Sequence, residues 1–281
     1  MKLILLTFLI ISCSREKPKQ QPTFDEKVQA VTEKLEDLKI QADHFVDENG
    51  WPVSESCDAM LWAGKYCTAF PDYVDITAAE IDGKFFRTPA KSCLDDFRSA
   101  STFSRDMSMG LLSCLVAKKD LEAIERHIEY GETHSWVMGE GPLSRTAYSP
   151  SLIGLWHKAA RNLGHDYNVV EVGNLYPSGL IDYQAHLQVM DIYLRHKLVG
   201  FITQPMINRL NEHGERKPNS VFYKTMQKLY LGELSEPINL CLDDHNIVGE
   251  YVRCDGEACE LVERIFACNL ILESLRKRVI E

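Results

Sequence analysis

The chain has 281 residues, 45% of them apolar, enough to bury a sizeable core in one large domain or two small ones. Its 41 acidic residues outnumber 31 basic ones, for a formal charge of −10. That balance leaves no electrostatic footprint for nucleic acid or for anionic lipid.

Met1-Lys2 forms a short basic start, and Leu3 to Ile11 is an apolar run broken only by Thr7. The run is too short for a bilayer, which takes about 20 residues. Because Ser12, a small residue, immediately precedes Cys13, the segment 1–12 reads as a lipoprotein signal peptide. Cys13 would then be acylated and become the mature N-terminus; the plainer alternative is a cleaved secretory signal with a chance cysteine. Cleavage would leave 30 basic against 41 acidic residues, a charge of −11. The expectation is a cell-envelope protein held to the lipid bilayer through Cys13 alone, with Ser14 favouring the outer membrane, facing the periplasm or the exterior. Eight cysteines then remain, at 57, 67, 93, 114, 241, 254, 259 and 268. An even number in an exported chain predicts disulfides, most simply within 57–114 and within 241–268, with Cys254 and Cys259 able to close a small loop. A zinc site is the competing use, but no CxxC or HxxxH spacing supports it.

Residues 14–22 are polar and contain proline, as a tether would. At Thr23 a T-x-x-E capping box opens, and Phe24, Val28, Val31, Leu35, Leu38, Ala42 and Phe45 follow in steps of four and three, one stripe of an amphipathic helix. The same period predicts helices over Asp106 to Ala117, from Asp120 to a stop at Gly131, and over Ser151–Leu163, Tyr183–Leu198, Gln204–Glu212, Ser220–Leu231 and Leu261–Arg278. Strand alternation is confined to short pieces such as Val169–Val172, so residues 23–281 read as a single, mainly α domain. The loops 47–58, 82–105, 131–150 and 164–182 hold most of the Trp, Gly, Pro and His, and long ordered loops on a helical scaffold usually mark a site.

Three of these segments place carboxylates beside aromatics and arginines. In the first, Asp58 opens an apolar, helix-like stretch that contains Trp62; it serves either as an acid or as an N-cap. In the second, Ser104 caps a helix whose first turn carries Arg105 and Asp106, where the dipole alone would stabilise the charge. In the third, Glu140 lies between Gly139 and Gly141, close to His134, Trp136 and Arg145, on backbone able to approach a ligand; alternatively it is a surface residue in a turn. No nucleophile elbow, HExxH, P-loop or dinucleotide fingerprint occurs, and no cofactor is expected. His186 reads as a packed helix residue.

The order DENGWPVSESCDAMLW, FFRTP, STFSRDMSMGLL, YGETHSWVMGEGPLSRT, YQAHLQVMDIYL resembles a widespread set of bacterial and phage proteins, and more remotely glycosidases built on an (α/α)6 toroid. The resemblance covers residues 45–200 and is most specific at Ser104-Arg105-Asp106-Met107. It implies a toroid, complete or incomplete, of helical hairpins, with a cleft that takes a polysaccharide or oligosaccharide. By motif it carries over Asp58, Asp106 and Glu140 as catalytic candidates. Glu140 would protonate the glycosidic oxygen, Asp106 or Asp58 would activate water, and Arg105, His134, Trp136, Arg145 and Trp62 would hold sugars. The expectation is a glycoside hydrolase-like lipoprotein acting on an envelope glycan; the alternative is a non-catalytic glycan-binding or scaffold lipoprotein that keeps the cleft.

Overall fold

The structure, a computed structural model, describes residues 22–52, 58–90, 102–141, 145–167, 182–243 and 257–278. Cys13, the signal segment, Cys57, Cys93, Cys254 and the strand expected over Val169–Val172 lie outside them. Among the described residues the chain is mainly helical, with two short hairpins.

Helix α1 (Phe24–Ala42) starts where the capping box places it: the Thr23 hydroxyl accepts from the Glu26 amide, and the Glu26 carboxylate accepts from the Thr23 amide at 2.6 Å. Val31, Leu35, Leu38 and Ala42 point inward from the expected stripe. Helix α2 (Ala59–Ala69) is buried on every side up to Thr68, so it runs through the core rather than along the surface. Helix α3 (Arg105–Lys118) packs against it so closely that a Cβ on Gly64 would lie 2.2 Å from the Gly110 carbonyl. Thr68 meets Ser113 at 2.6 Å, and Cys67 is bonded to Cys114 with the Cα atoms 5.2 Å apart. Contacts advance together along both helices, so α2 and α3 run parallel and their N-termini share one end of the molecule.

Hairpin β1 (Glu80–Ile81) and β2 (Lys84–Phe85) turns at Asp82-Gly83, both with positive φ, as a two-residue turn requires. Helix α4 (Leu121–Thr133) follows, with Asp120 accepting from the Ala123 amide as its cap. Gly131 does not end this helix, contrary to the sequence expectation; a Cβ there would fall 2.5 Å from the Trp136 indole, so the glycine makes room for a ring. The chain reverses through Ser135 and Trp136, both left-handed, into the hairpin β3 (Val137–Glu140) and β4 (Arg145–Ala147). Helices α5 (Pro150–Asn162), α6 (Asp182–Val199), α7 (Gln204–Arg216) and α8 (Val221–Leu229) match the expected segments, α7 running further than its apolar pattern. A short α9 (Ser235–Leu242) was not anticipated, and α10 (Glu257–Lys277) lies along α1, α2 and α8. Cys241 of α9 is bonded to Cys268 of α10, and Cys259 is also in a disulfide. Both described bridges fall within the halves that the cysteine clusters suggested.

Candidate functional site

At the shared end of α2 and α3, Asp58 precedes the first residue of α2 and receives Arg87 at 3.1 Å rather than capping the helix with its side chain. Asp106 is almost fully buried in the first turn of α3. Ser104 precedes that helix, but its hydroxyl donates to the Asp106 carboxylate instead of accepting from the backbone. Two residues earlier, the Thr102 amide donates to the Glu140 carbonyl at 3.1 Å and the Glu140 amide to the Thr102 hydroxyl at 3.3 Å. These bonds fasten the end of β3 to the entrance of α3. Arg105 reaches the Ala147 carbonyl of β4 at 3.1 Å. Segments far apart in the chain therefore converge on the N-terminal end of the central helix pair.

The individual side chains differ in what they can do there. Glu140 is exposed and takes Arg145, its cross-strand partner, at 2.8 Å. That hydrogen bond and charge, helped by Lys84 and His134, hold its carboxyl below the usual carboxylate range. A general acid needs the opposite shift, so Glu140 as placed is an ionised partner of Arg145. Trp62 is fully buried and packs by Lys65 and His186, so its indole belongs to the core and not to a wall where a sugar could stack. Trp136 is half-buried against Tyr148, 6.1 Å between ring centroids. His134 is exposed, stacked on Tyr130 with centroids 3.9 Å apart and planes 15° from parallel.

That stacked pair lines a groove of about 570 Å³ between α4 and the β1/β2 hairpin, with Ile81, Lys84 and Phe86 on its other side and Asp82, Arg126, Glu129 and Thr133 completing it. The hairpin is held down in three ways. Arg126 grips Glu80 through two nitrogens at 2.6 and 2.8 Å; Gly83 lies where a Cβ would strike the Arg126 carbonyl at 2.2 Å; and the buried His127 reaches the Gly83 carbonyl at 2.9 Å. The His127 Nδ1–H must be that donor, because a carbonyl only accepts; in the neutral ring Nε2 then accepts from the Tyr148 hydroxyl at 3.0 Å. Burial drives the His127 pKa down to about 4 and keeps the ring neutral.

Beneath the site lies a buried ionic group that the sequence did not suggest. Lys65 of α2 meets Glu263 of α10 at 2.9 Å and His186 of α6 at 2.6 Å, under the rings of Phe222 and Trp62. Desolvation lowers the Lys65 and His186 pKa values. Glu263 is held down to about 2 because Lys65 and His186 outweigh the opposing effect of its own burial. His186 also feels Asp106, which links this group electrostatically to the entrance of α3. Among the described residues no group of three or more His, Cys, Asp or Glu is arranged to hold a metal ion. No protein-family model, curated protein or solved structure matches the chain.

Proposed function

We propose that the chain is an exported, lipid-anchored envelope protein that binds a glycan in the groove between the β1/β2 hairpin and α4, without hydrolysing it. The observation that carries this reading is the parallel Tyr130–His134 ring pair on one wall of that groove, with His134 exposed, Tyr130 half-buried and Phe86 on the hairpin side. Sugar rings present apolar C–H faces and polar rims, and aromatic faces flanked by hydroxyl and charged groups accept both. The disulfides in both halves of the chain fit an oxidising compartment. The test is a screen of the purified protein against peptidoglycan fragments and other bacterial polysaccharides, with affinity measured by calorimetry. Tyr130→Ala should weaken binding roughly 5-fold, the worth of one stacking contact. Failure to bind any glycan would remove the reading.

Hydrolysis on an (α/α)6-like toroid is the second reading. What favours it is the parallel run of α2 and α3, which brings Asp58 and Asp106 to one end, with Glu140 tied there through Thr102. Against it stands the ionised state of Glu140. Release of reducing ends that disappears in both Asp106→Asn and Glu140→Gln, at unchanged thermal midpoints, would make this reading the better one.

A further inference from the structure

Lys84 and Arg126 are the lysine and arginine of the groove. Arg126 is committed to Glu80 through both of its bonds, and Glu140 on the adjoining rim is committed to Arg145. Lys84 enters no ion pair among the described residues, although its charge is near enough to lower the Glu140 pKa. Its ammonium instead lies 5.3 Å from the centre of the Phe86 ring and 5.9 Å from that of Tyr130. Attraction to two ring faces holds the charge over the floor of the groove but does not neutralise it.

From this juxtaposition we infer that the groove selects saccharides bearing a carboxylate, and that Lys84 is the residue that reads it. The inference rests on the glycan reading of the same groove. A sugar ring packed against the exposed His134 of the ring pair or against Phe86 brings an equatorial carboxylate to the ammonium held over Phe86 and Tyr130, where a charge-assisted hydrogen bond forms. Asp82 and Glu129 are exposed on the groove's rim and carry the opposite sign. Their repulsion disfavours an anion anywhere except beside Lys84, so the carboxylate also sets the orientation of the sugar. Two sugar types share this chemistry: hexuronic acids, and hexosamines carrying a lactyl ether.

The experiment is calorimetric titration of the full chain with four probes. They are a hyaluronan hexasaccharide, the same hexasaccharide with its carboxyls reduced to alcohols, a peptidoglycan disaccharide with its lactyl carboxylate, and chitohexaose. The expected result is binding of one or both carboxylated probes at least about 10-fold tighter than the neutral ones, the worth of one hydrogen bond to a charged group. The tighter of the two carboxylated probes identifies the source. In Lys84→Met, which keeps the apolar stem, the ratio of acidic to neutral affinity should collapse to within about 2-fold, and in Lys84→Arg it should be retained. Equal affinity for acidic and neutral sugars would overturn the carboxylate inference while the glycan reading stands. A preference that survives in Lys84→Met would overturn the role of Lys84. No binding of any of the four, or of the polysaccharides in the wider screen, would take down the glycan reading and this inference together.

Discussion

His127 is the clasp of the groove, and its protonation offers a quantitative test. The ring is fully buried among Phe85, Phe103, Tyr148 and Trp156, donates to the Gly83 carbonyl and accepts from Tyr148. A proton on Nε2 would force the second bond to reverse, with Tyr148 as acceptor, and would place a charge among hydrocarbon. The pKa therefore falls from 6.5 to about 4 on folding. Between those values the unfolded chain binds the proton and the folded chain does not, so the contribution is complete above pH 6.5 and is lost as pH falls toward 4. At about 1.4 kcal/mol per pH unit the loss amounts to about 3 kcal/mol, a large share of the stability of an ordinary domain. Urea unfolding of the wild type and His127→Gln at intervals from pH 7.5 to 4 isolates it, since every other titrating group is common to both. The variant should be less stable at neutral pH by about 1 to 3 kcal/mol, from poorer bonding to Gly83 and Tyr148, and this deficit should vanish or reverse by pH 4. Parallel curves across the range would refute the assignment. Because the clasp holds the hairpin that carries Lys84, sugar affinity should decline over the same interval.

The buried ionic group predicts strong coupling: Lys65→Met alone should cost about 3 to 5 kcal/mol, whereas Lys65→Met with Glu263→Leu should recover most of it, and simple additivity of the two in denaturant unfolding would contradict the pairing. Loss of the Cys67–Cys114 bridge through paired alanines should cost about 2 to 4 kcal/mol and lower the thermal midpoint without changing sugar specificity, because the bond staples α2 to α3 away from the groove. Gly131→Ala should displace the Trp136 indole, read as a shift in tryptophan emission together with about 1 to 3 kcal/mol of destabilisation; an unchanged spectrum would show that the contact is not formed. Metabolic labelling with a fatty-acid analogue should mark the wild type and not Cys13→Ala, and equal labelling of both would end the lipoprotein proposal.

Periodicity revealed the longer helices that keep one face to solvent, while α9, with eight residues, was too short to show a period. The stripe of α1 and its capping box were legible because local chemistry alone specifies them. Helix α2 showed only as an apolar stretch, since a helix buried on all sides has no polar face to set a period, and Trp62 beside Asp58 looked like a sugar platform when it is core. The Gly131 signal was real but its cause was tertiary: the glycine accommodates Trp136 rather than ending the helix. Asp82-Gly83 carried a strong turn signal, yet the strands beside it are too short to alternate, so the hairpin and its lysine went unread. The Lys65–Glu263 pair is separated by most of the chain, and no local pattern announces a partner at that distance.

The parallel run of α2 and α3 leaves the molecule with room to change. Helices entering from the same end oblige the chain to travel back along the pair, from Ala69 to Arg105, before the second can begin. An eleven-residue helix is only about 16 Å long, a distance that roughly five extended residues would cover. The return path is much longer than that, and its surplus forms the hairpin that walls the groove. Two glycines and a disulfide lock the helices together without reference to the route between them. A descendant could therefore exchange that route, and with it the lining of the groove, while inheriting the core unaltered.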